Sequence, residues 1–318
     1  MAKNNLDLLA VYLAKLSYPQ MWDMGAWEEQ LAKRTSSISI VTIFEENFLH
    51  FWSPEKNADH ENIREKVNDA YSVLTPRLTG NRVVEADEGE RNGPRFEDSA
   101  ELHSLWWPLQ RFSSDQYSHM IENLDRVLKR PSGYARYAND WFLNGPTEVA
   151  AHADKNGALG RMVLPDASGD YRIATPEDMQ QLAEWHQQHM YDKDMGDILK
   201  KTGEGFEAQW AIPDAILTCY YADLYMQTYK PTDLAKAKEH YLRLIGFVTG
   251  ETDTTAEGRL IGAFKAAEAY IPVQMKIDDQ IKTVYYTSPN SPLNWGVGEL
   301  IMASEEMLRA LQAEAQGH

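Results

Sequence analysis

Trp22-Asp-Met-Gly-Ala-Trp27-Glu28-Glu29, then a short polar turn, then Ser36-Ser37 and an apolar run to Phe51, is the stretch from which the fold is read. After Ser36, Ile38, Val41, Phe44, Phe48 and Phe51 recur every three or four residues, which lays one apolar stripe along an α-helix. Glu28 and Glu29 are adjacent, so on a helix or turn their carboxylates point about 100° apart and serve different purposes. The Trp27 indole supplies an apolar wall, and such a wall raises a neighbouring carboxyl pKa toward that of a general acid.

The same period extends in both directions. Leu6, Leu9, Tyr12, Leu13 and Leu16 form an apolar stripe before this stretch, and residues 62–78 form an amphipathic helix after it. Residues 79–97 carry Gly80, Gly89, Gly93 and Pro94 and read as a loop. Asp98 caps a helix through Leu109, and Ser114 or Asp115 caps the next, over 117–128. Asn144-Gly145-Pro146 breaks the chain, and 152–174 reads as loop. Thr175-Pro176-Glu177-Asp178 is a helix start with a Thr cap, Pro in the first turn and acids behind it. Helices are expected over 176–200, 208–228, 232–248, 255–269 and 292–315. Only 82–85 and 282–286 suggest hairpin fragments. The expected class is all-α, one domain over 1–318, with long loops building a site at one end.

The 318 residues, 43% hydrophobic and 25% charged, are enough for a large buried core. A net charge of −17 repels phosphate backbones and argues against nucleic acid as a partner. The single cysteine, Cys219, excludes an internal disulfide framework and offers no zinc spacing. No run reaches the roughly 18–20 apolar residues of a membrane helix, and the first sixteen residues lack a secretory signal, so a cytoplasmic location is expected. His186 and His189 share a helix face, but no third ligand stands near them in sequence, so no metal is expected. No phosphate-binding glycine loop occurs, and no cofactor is expected.

Four blocks, in one order, resemble glycoside hydrolase family 15, the glucoamylases. They are Trp27-Glu28-Glu29 with Ser36-Ser37; Gly133-Tyr-Ala-Arg136-Tyr-Ala-Asn-Asp140; Gln209-Trp210-Ala-Ile-Pro; and Tyr270-Ile-Pro-Val273-Gln followed by Ser291-Pro-Leu-Asn-Trp295. The third block is also similar to the phosphorylase kinase α/β subunits, and residues 146–206 read as an insertion. The resemblance implies an (α/α)6 toroid, six helical hairpins, lacking its leading helices. The alternatives are that the chain is a fragment, that a second chain completes the toroid, or that the ring is rebuilt. It implies an α-glucan or oligosaccharide as substrate, hydrolysed with inversion. Glu28 would be the general acid, with Trp27, Glu29, Arg136, Asp140, Trp210 and Trp295 holding sugar.

One position departs from the family. Its catalytic base is the Glu of Pro-Glu-Gln, which falls on Val273. An inverting glycosidase needs a second carboxylate about 6.5–9.5 Å from the acid to activate water, and valine takes no proton. Glu268, Asp278 and Asp279 are the substitutes nearest in sequence. The readings left open are a hydrolase with an unassigned base, a catalytically inactive glucan-binding or regulatory relative, and a purely structural α/α domain whose motif matches are relics.

Overall fold

The computed structural model describes residues 2–27, 31–52, 58–86, 94–140, 142–152, 160–189, 202 and 205–317. The chain is mostly helical, with small antiparallel sheets as a minor component. It divides into two compact units, Met1–Leu128 and Lys129–His318.

In the first unit, α1 (Ala2–Lys15), α2 (Thr35–Asn47) and α3 (Ala58–Leu78) pack on one another. The expected helix over 36–51 ends as an α-helix at Asn47 and continues as a π-helical turn, Phe48–Trp52. Between α3 and α4 (Ser114–Leu128) lie a short hairpin, β1 (Val84–Ala86) with β2 (Arg95–Phe96), and a 3-10 helix, Ser99–Leu105. Asp98 caps that 3-10 helix by accepting from the Ala100 N–H at 2.9 Å. The cap of α4 falls on Ser113, one residue earlier than expected. The Ser113 hydroxyl accepts from the Gln116 N–H, and the Gln116 side chain accepts from the Ser113 N–H, the reciprocal pairing of a capping box.

The second unit opens with α5 (Gly145–His152), the hairpin β3 (Val163–Pro165) with β4 (Tyr171–Ile173), and α6 (Pro176–His189). A three-stranded sheet follows, in the order β5 (Gln209–Trp210), β6 (Ala269–Ile277), β7 (Gln280–Thr287). Beside it stand α7 (Ile212–Thr228), α8 (Pro231–Ile245) and α9 (Asn294–Ala315), each in contact with the other two. Tyr229, in a left-handed conformation, closes α7, and Pro231 opens α8 immediately afterwards.

Three stretches differ from expectation. The mostly helical class is as expected, but 269–287 is a β-hairpin; its Tyr, Val and Ile residues suit a pleated strand. Residues 255–269 do not form a helix before β6. Gly258, Gly262 and Phe264 all take positive φ, which no α-helix accommodates, and the Thr255 N–H turns back to the Arg259 carbonyl. Residues 163–173, expected as loop, form the β3–β4 hairpin.

The core of the second unit gathers Val149 of α5, Met162, Leu164, Met179 and Leu182 of α6, and Val273 and Met275 of β6. The start of α5 lies directly on β6: a Cβ on Gly145 would stand 1.8 Å from the Pro272 carbonyl oxygen. Backbone cannot give way as a side-chain tip does. Gly145→Ala is therefore expected to destabilise the protein by about 2–3 kcal/mol, at the upper end of ordinary overpacking. Urea denaturation checks this; a midpoint equal to the parent's contradicts the close approach.

Candidate functional site

The second sequence block is placed by a clamp from α8. Arg243 donates to the carbonyls of Arg130 at 2.9 Å, Gly133 at 2.7 Å and Pro131 at 3.2 Å, fixing the turn before the block. Its Nε and the His240 Nδ1 both bond Asp214, buried in the first turn of α7. Gly133 then passes so close to Trp210 that a Cβ would sit 2.5 Å from the Trp210 carbonyl oxygen. Tyr134 and Trp210 exchange backbone hydrogen bonds of 3.1 and 2.8 Å.

This brings Arg136, Asp140 and Trp210 together. Arg136 Nε and Nη2 donate to the two Asp140 oxygens at 2.7 Å each, a bidentate pair with both partners buried. The guanidinium carbon lies 4.7 Å from the Phe142 ring centre and 5.5 Å from that of Trp210, and the two rings stack. Phe142 is a member of this cluster that sequence reading missed. The result is a planar cation held in one orientation against an aromatic wall, with Arg136, Asp140 and Trp210 all buried.

The fourth block is positioned differently. Val273 sits mid-strand in β6, opposite Val284 of β7, and is 0% exposed. Asp278 and Asp279 form the two-residue turn of the hairpin, both at positive φ as a type I′ turn requires. At strand spacing that puts them about 17 Å along from Val273. Asp279 is 92% exposed and pairs with Lys276. Glu268 precedes β6 and accepts from the Ser288 hydroxyl at 2.5 Å. Trp295 lies in the first turn of α9, 46% exposed. One turn on, burial pushes the Glu299 carboxyl up to about 8, with the Trp295 side chain opposing the rise.

In the first unit, Glu28 and Glu29 lie outside the described residues. Trp27 Nε1 donates to Asp98 at 2.7 Å, so the indole is held by the same carboxylate that caps the 3-10 helix. Arg95 pairs with that carboxylate from the other side at 3.3 Å. Around it stand buried acids. Glu85 accepts from the Ser36 N–H and hydroxyl at the start of α2. Burial, then the Asp98 charge, raises the Glu85 carboxyl; burial, then Glu85, raises Glu101.

No protein-family model matches the chain, and no curated protein matches it in sequence. The family resemblance stands on the four blocks alone.

A second cluster forms between α5 and α6. The Glu148 carboxylate, 3% exposed, lies 3.5 Å from His152 Nε2 and 3.6 Å from His186 Nε2. One ligand atom from each residue lies within 4.8 Å of the others. Burial, then the Glu257 charge, pushes Glu148 up to about 7; burial, then the charge on His152, lowers His186. The sequence signal for this cluster was Glu148 and His152 at i, i+4, one face of a short helix. His186 is separated from them by more than thirty residues, which hid the grouping.

Two measurements test these environments. Asp140→Asn leaves the Arg136 charge buried without its counter-ion, so a loss of about 3–5 kcal/mol in urea denaturation is expected; no loss contradicts a buried pair. Burial also lifts Glu45 of α2 from an ordinary 4.5 to about 8. Between those values the folded protein keeps a proton that the unfolded chain has released. Together with Glu85 and Glu101, this makes stability fall as pH rises from about 5 to 8 and then level off. Unfolding midpoints across that window check the sign, and a rise with pH contradicts it.

Proposed function

We propose that this chain binds α-linked glucose saccharides through a glucoamylase-like α/α framework and does not hydrolyse them with the family's acid–base pair. The observation that carries this reading is Val273. The position of the expected base holds an apolar side chain packed against Val149, Met162 and Leu182. The substitutes Asp278 and Asp279 stand at the hairpin turn, and Glu268 is engaged with Ser288. Without a positioned base, hydrolysis loses the ~10²–10⁴-fold that general-base catalysis supplies. Binding does not depend on that base, because Arg136, Asp140, Trp210 and Phe142 are held by their own contacts. The (α/α)6 toroid and any second chain completing it belong to this proposal.

The test is calorimetry with maltooligosaccharides alongside a glucose-release assay on the same preparation. Saturable binding with no release is expected. Val273→Glu is a poor restoration test, because it places a carboxylate in an apolar core. Glucose release that Glu28→Gln abolishes replaces this reading with that of a working hydrolase. Absence of saccharide binding ends both.

A further inference from the structure

We propose that Glu148, His152 and His186 bind a divalent first-row transition-metal ion, of the zinc or iron(II) class, with coordination positions left open. This does not rest on the saccharide reading, because all three ligands belong to the second unit and none is in the sugar-binding set.

Two imidazoles and one carboxylate are the donor set of catalytic zinc sites and of the facial triads that hold non-haem iron. Calcium and magnesium prefer oxygen donors throughout, so two histidines argue against them. The spacing is close to what the ion needs. Bonds of about 2.0–2.1 Å in tetrahedral geometry put ligand atoms ~3.3–3.4 Å apart. His152 Nε2 lies 3.5 Å from Glu148 Oε1 and His186 Nε2 lies 3.6 Å from Oε2, and one ligand atom from each residue lies within 4.8 Å of the others, so the set closes on an ion by side-chain rotation that draws the three ligand atoms together by up to about 1.5 Å.

The frame is preformed rather than assembled on demand. Glu148 and His152 stand one turn apart on α5, and α6 brings His186 from the other side. Val149 of α5 and Met179 and Leu182 of α6 pack in one core beneath them. The Glu148 carboxylate is buried, where a charge is costly without a compensating partner. Both histidines retain exposure, His152 more than His186, so water or a small ligand can complete the coordination from solvent. His189, the neighbour suggested by sequence, is not needed for this set.

The experiment titrates the full chain, stripped with chelator, with zinc sulfate by calorimetry. One zinc per chain at micromolar affinity or tighter is expected. His186→Ala and Glu148→Gln should each weaken binding by at least about tenfold, the upper range for loss of a supporting group being ~100-fold. Circular dichroism establishes that the variants are folded. Because a ligand variant can fail to fold, cobalt(II) added to the parent chain gives an independent readout. Strong visible absorption of a four- or five-coordinate ion is expected, bleached by added zinc. Failure to bind zinc, equal affinity in the folded His186→Ala variant, or only the weak spectrum of aqueous cobalt each overturns the proposal.

Discussion

The second unit depends on one close contact: the start of α5 lies against the backbone of β6 with no room for a side chain at position 145. The Pro272 carbonyl occupies the space where a Cβ would be. Helices and strands ordinarily meet through side chains, so a glycine contact draws α5 closer than the usual layer distance and fixes its height over the sheet. Val149 and Val273 then fall into the same core, and Glu148 and His152 are carried to the place where α6 presents His186. A single backbone approach thus both buries the expected base position and gathers a different set of polar groups.

Buried charge organises the rest. Three elements are held by carboxylates in their own neighbourhoods: Asp98 holds Trp27 and the 3-10 helix, Asp214 holds His240 and Arg243, and Asp140 holds Arg136. Each is a buried acid that meets at least two donors, both of them on Oδ1 in Asp214, the condition under which a buried charge is tolerated. Glu85, Glu101 and Glu45 are different. Burial outweighs the groups that oppose it, Arg34 and Ser36 at Glu85 among them, and their pKa values rise. The abundance of acids in this chain is therefore not only a surface property. Part of it is inside, where it fixes loops and caps helices.

Much of the helical framework was legible because it rests on period and caps. The helices beginning at 176, 212 and 231 start close to where Pro and acidic residues announce them, and the one at 294 follows Pro292. The β-hairpin over 269–287 was only partly legible. Its apolar residues form a continuous run in β6, buried on both faces, and such a run reads equally as helix or strand. The helix expected over 255–269 failed for a local reason, the positive φ at Gly258, Gly262 and Phe264. In the site, Arg136, Asp140 and Trp210 were legible as a group, whereas Phe142 was not, because stacking depends on how two distant segments meet. The Glu148–His152–His186 grouping was hidden for the same reason.

X-ray absorption at the zinc edge of the zinc-loaded chain tests most directly whether this packing of α5 on β6 builds a metal-binding set. Two imidazole nitrogens and one or more oxygens at about 2.0–2.2 Å, with no sulfur, is the result the account predicts. An all-oxygen shell, or a single histidine, would contradict it.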